Sequence, residues 1–134
     1  MPYSISYDEG AGGVISTYSG DITPEEIFNS FIERFDDPAR SATLRYSIGD
    51  FTNVTSLILT TPNVQTLAGR AQDLLGRQKD LLAAIVAPSD IAFGLGRMLQ
   101  LYANQTESIR VFRTLADAKS WISGRLRGAG TGHA

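Results

Sequence analysis

The chain has 134 residues, a length that suits one domain of roughly 100–150 residues, and its 43% apolar and 19% charged composition excludes a disordered chain. It contains no cysteine, which removes disulfides, thiolate metal sites and thiol nucleophiles, and its one histidine is His133, second from the end, which argues against His-dependent catalysis and multi-histidine metal binding. A net charge of −2 and a pI near 5.3 argue against nucleic acid as a partner, because that affinity comes from Lys and Arg neutralising phosphates.

Tyr3, Ile5 and Tyr7 alternate with Ser4 and Ser6, Gly10-Ala11-Gly12-Gly13 interrupts, and Val14–Tyr18 resumes with β-formers, which predicts a β-hairpin. Thr23-Pro24-Glu25-Glu26 supplies an N-cap hydroxyl, a proline at the first helical position and a glutamate at the third, so a helix follows. Its apolar stripe reads Ile27, Phe28, Phe31, Ile32 and Phe35 and stops at Asp36-Asp37-Pro38. Leu44–Ile48 is a short predicted strand that leaves through Gly49-Asp50-Phe51, and Val54–Thr60 is readable either as strand or as a connector into a helix. Pro62 to about Lys79 has a helical pattern.

Leu81–Ala87 is a continuous apolar run closed by Pro88, as expected of a central strand covered on both faces. Ser89 or Asp90 can cap a helix over 90–104, Ile109–Arg113 is a last strand, and Thr114 with Asp117 opens a final helix carrying Leu115, Ala118, Trp121, Ile122 and Leu126. The glycine-rich stretch 127–134 is expected to be a tail without structure, leaving residues 1–126 as a single domain. Alternating strands and helices after an opening hairpin predict an α/β fold, with a mostly parallel sheet of about five strands, one antiparallel edge and about four helices. Met1–Gly10 has no basic start and no apolar run, and Leu81–Ala87 is too short to span a bilayer, so the expected location is cytoplasmic.

Asp50 follows the predicted strand end, where ligands of open α/β sheets bind, although an aspartate there also bonds the backbone of its own turn. Asp36-Asp37 and Glu25-Glu26 sit at helix ends, where capping accounts for them. Gly94-Leu95-Gly96 falls inside a helical pattern and lacks the turn of a phosphate loop. A Ser-His-Asp triad has no histidine to use, and no motif supports a Ser-Lys pair with Lys79 or Lys119. No catalytic constellation emerges, and no cofactor is implied.

The helix over 90–104 is more informative. At about 100° per residue, Ile91, Leu95, Met98, Leu99 and Tyr102 share one face while Phe93 and Leu101 point elsewhere, so something beyond the sheet is expected to cover it. A second protomer, making a homodimer, is the favoured cover, with a ligand or a membrane surface as the alternatives. Residues 1–53 carry nine acids and three bases, and residues 54–134 carry five acids and nine bases, an asymmetry able to orient a protein partner.

The string Ala84-Ile85-Val86-Ala87-Pro88-Ser89-Asp90-Ile91-Ala92-Phe93-Gly94-Leu95-Gly96-Arg97-Met98, with Val111-Phe112-Arg113 and Ala118-Lys119-Ser120-Trp121-Ile122, resembles the SpoIIAA-like branch of the STAS family, the sulfate-transporter and anti-sigma-factor-antagonist domains, also described as STAS or Sec14-like. The resemblance reaches to about Leu126 and implies a STAS-type sheet with helices mainly on one side. It also implies a non-catalytic binding module for an apolar or amphipathic small molecule, or one that associates with a membrane surface. In that reading the helix over 90–104 is a lid, Phe93, Leu95, Met98 and Tyr102 line a pocket, Arg97 meets a head group or carboxylate, and Asp50 is a further ligand candidate. The alternative is a regulatory protein-interaction module of the anti-sigma-antagonist type. The positions of its usual phosphoacceptor stretch read Ile58-Leu59-Thr60-Thr61, where only Thr60 or Thr61 offers a hydroxyl.

Overall fold

The opening hairpin forms from β1 (Tyr3–Asp8) and β2 (Gly13–Ile22), paired antiparallel from Tyr3 opposite Tyr18 to Asp8 opposite Gly13. The turn between them needs Gly12, whose φ is +70° and whose added Cβ would lie 3.0 Å from the Thr43 carbonyl oxygen. Residues 2–104 and 107–131 of this computed structural model are described, with side chains through 128; His133 lies outside the described residues.

Helix α1 (Pro24–Phe35) has the expected capping box: the Thr23 hydroxyl accepts from the Glu26 N–H at 3.3 Å, and the Glu26 carboxylate accepts from the Thr23 N–H at 2.9 Å. A short helix α2 (Pro38–Thr43) follows, where the sequence reading saw only a stop. The Asp37 carboxylate accepts from the Ala39 and Arg40 N–H groups, so Asp37-Pro38 restarts the chain as a helix.

Strand β3 (Tyr46–Leu57) corrects one expectation, since Gly49-Asp50-Phe51 lies inside it rather than leaving it, and decides an open one, since Val54–Leu57 continues it as strand. Its length comes from its neighbour, since β3 runs parallel to β2 from Tyr46 opposite Gly13 to Leu57 opposite Ile22. Then come α3 (Thr61–Arg77), β4 (Leu82–Val86), α4 (Asp90–Ala103), β5 (Ile109–Phe112) and α5 (Leu115–Thr131). The sheet order is β1-β2-β3-β4-β5, with only the β1–β2 pair antiparallel, so the fold is α/β with a five-stranded mixed sheet. The middle strand is β3, and β4 lies between it and β5, interior but not central.

Because every parallel crossover steps the same way along the sheet, right-handed connections deliver their helices to one face. That face presents Val14, Ser47, Ala83 and Ile109, in register across β2 to β5, and helices α1, α3 and α4 pack on it. The opposite face presents Ile48, Ala84 and Val86 and is covered by Ala118, Trp121 and Ile122 of α5, which explains why β4 is apolar throughout. Helix α5 continues to Thr131, beyond the point where the sequence suggested an unstructured tail, and residues 132–134 lie outside the described residues. No helix among the described residues is long and apolar enough to cross a membrane.

The buried face of α4 is not its bulkiest one. Ala92, Gly96, Gln100 and Ala103 are buried, whereas Ile91 is 72% exposed and Tyr102 45% exposed. The helix lies so close to β5 that a Cβ on Gly96 would stand 3.0 Å from a Val111 methyl, which reserves the contact for small residues. Large apolar groups are thereby displaced to the sides and the outer surface.

Candidate functional site

The layer between the sheet and α1, α3 and α4 is built from large residues on some elements and small ones on others. Gly49 and Ala83 on the sheet, Ala71 on α3, and Ala92 and Gly96 on α4 line a space that Phe31, Phe35, Leu95 and Leu99 border without filling. The result is a cavity of about 130 Å³ within an apolar cleft of about 980 Å³ that includes its open side. An apolar space of that order, about 150 Å³ in a known engineered case, takes a guest as large as benzene.

Two polar side chains, Arg34 and Ser47, interrupt the wall. On α1 the core-facing positions are Ile27, Ser30, Phe31, Arg34 and Phe35, at helical spacings of three and four, while Ile32 is 47% exposed. Ser30 is fully buried and satisfied, donating to the Ile27 carbonyl at 2.8 Å and pairing with the Tyr18 hydroxyl at 2.5 Å. Arg34, one turn on, donates from Nε to the Ser30 carbonyl at 3.2 Å and from Nη1 to Ser47 Oγ at 2.9 Å. Its guanidinium carbon lies 5.7 Å and 5.3 Å from the ring centres of Phe31 and Phe35. Its place in the last turn of α1 also suits a cation, because the helix dipole is negative there. No carboxylate lies within ion-pair distance of it among the described residues.

The residues singled out from sequence are dispersed. Leu95 lines the cavity. Phe93 is half-buried beneath the Arg113 guanidinium, 4.2 Å from its ring centre, and Arg113 also pairs with Asp90 at 2.8 Å. Arg97 is exposed, Met98 is half-buried outside the cavity wall, and Tyr102 faces outward. Asp50 projects to the other sheet face, is 8% exposed, and accepts from the Thr52 N–H at 3.0 Å and from the Thr52 hydroxyl. Its position is neither a strand end nor a reversal of strand order, the crevice that binds ligands in open sheets, because this sheet never reverses. Thr60 is the exposed N-cap of α3, accepting from the Asn63 N–H at 3.2 Å, and Thr61 is exposed beside it.

Sequence reasoning missed Arg34, yet a signal was there: Ser30 and Arg34 occupy stripe positions of α1 that an amphipathic helix would give to apolar groups. Among the described residues no group of three or more His, Asp or Glu side chains is placed to hold a metal, and Lys79 and Lys119 are both exposed. Compared with known families and curated proteins, the chain matches no family model and no curated sequence.

Proposed function

We propose that this protein is a non-catalytic module that binds an apolar or amphipathic small molecule between its sheet and α1, α3 and α4. The observation that carries the reading is the apolar space of about 130 Å³ between the sheet and these helices, open on one side. Protein interiors close to crystal-like density, and a void of this size gives up contacts and transfer free energy that a different choice at Ala71 or Ala83 would recover. Ligand sites combine such apolar concavity with few polar groups, as Arg34 and Ser47 provide here. The resemblance of residues 84–98 to the SpoIIAA-like branch of the STAS family supports the same reading.

Native mass spectrometry of freshly purified protein, followed by solvent extraction, tests it. Excess mass over the bare chain that extracts as an apolar compound is expected. Bare chains that also take up no added apolar probe would overturn the proposal.

The second reading, a regulatory protein-interaction module, draws on a different surface. Leu101 is 63% exposed beside the exposed Tyr102 at the C-terminal end of α4, an apolar pair suited to a second copy or a protein partner. A single sedimenting species at monomer mass, with no change at high concentration, would remove self-association as its occupant.

A further inference from the structure

We infer that the ligand taken by the cavity is a small monocarboxylate with an apolar ring or chain, its carboxylate held by Arg34 and Ser47. The inference rests on the binding reading above and assigns the chemistry of the ligand's polar end.

Arg34 Nε and Nη1 are engaged by Ser30 and Ser47, while Nη2 has no protein acceptor among the described residues. Ser47 is 4% exposed and accepts from Arg34, and its own hydroxyl proton has no acceptor there either. Two adjacent donors on the cavity wall, the half-buried cationic Arg34 and the buried Ser47 hydroxyl, are thus open to an acceptor that a ligand would bring. A carboxylate can accept one bond from Nη2 and one from the Ser47 hydroxyl, and the charge-assisted bond to the guanidinium is the strong one. One negative charge balances one cation, whereas a phosphate monoester, with a charge of roughly −1.5 to −2, would leave charge uncompensated beside apolar walls. The rest of the ligand meets Phe31, Phe35, Leu95 and Leu99, in a space that admits a ring or a short chain.

The test is calorimetric titration of the full chain with octanoate, the neutral analogue octanol and the cationic analogue octylammonium. Octanoate is expected to bind roughly 10-fold or more tightly than octanol, as one charge-assisted hydrogen-bonded pair implies, and octylammonium more weakly than either. Arg34→Gln should erase the preference for octanoate and leave octanol binding in place, Arg34→Lys should keep part of it, and Ser47→Ala should weaken octanoate alone. Octanol binding as tightly as octanoate, or an unchanged ratio in Arg34→Gln, overturns the carboxylate assignment while the cavity stands. Failure of all three probes to bind the unaltered protein overturns both. The comparison of the three probes on the unaltered protein decides the matter even if Arg34→Gln fails to fold.

Discussion

Replacing Ala71 by leucine should make the protein more stable and less able to bind. Ala71 sits on α3 against the cavity of about 130 Å³. Leucine adds three carbons, and at about 0.8 kcal/mol for each buried methylene they recover about 2 kcal/mol. Alanine and leucine are both strong helix formers, so the backbone of α3 contributes little to the difference. Urea denaturation measures the change directly: the midpoint should rise with an unaltered slope, because the surface exposed on unfolding hardly changes. The same variant should lose octanol and octanoate binding together. A fall in stability of about 1 kcal/mol or more, the signature of an overpacked core, would show that the space is not there and refute the reasoning.

Leu101→Glu places a charge on the outer side of α4 and should convert any self-associated form to monomer in sedimentation, with stability changed by no more than about 0.5 kcal/mol. An unchanged mass distribution would move the interface elsewhere. Thr60→Ala removes the N-cap of α3 and its reciprocal bonds with Asn63, and should cost about 1 kcal/mol in the same denaturation assay. Burial, with a smaller contribution from Asp8, raises the Tyr46 phenol above its ordinary 10.0. The folded state therefore holds that proton more tightly than the unfolded chain, so the stability it contributes is present below pH 10 and lost as pH rises through the folded value. Tyr46→Phe should make the alkaline decline in urea midpoint shallower; an identical decline in both proteins would contradict this.

The parts of this fold legible in sequence are those written in local chemistry. The Thr23–Glu26 capping box, the Ser89 cap of α4, the Thr114 hydroxyl that accepts from the Asp117 N–H, and the apolar run of β4 all appear where their residues placed them. What escaped was set by partners distant in sequence. Gly49-Asp50 looks like an exit from a strand, but pairing with all of β2 carries β3 through it. The helix wheel groups α4's bulky residues on one face, but which side meets the sheet is set by the close approach to Val111, which admits only small ones. Arg34 went unnoticed for the same reason: a charge on a helix reads as solvent-facing until Ser47, thirteen residues on, is seen to meet it across the layer.

A crystal pressurised with xenon tests the central claim most directly, because xenon occupies apolar cavities without needing hydrogen bonds. The account predicts a xenon atom between β4 and helices α3 and α4, within contact of Ala71, Leu95 and Leu99 and absent from Ala71→Leu. A core closed by these side chains, with no xenon in it, would contradict the account.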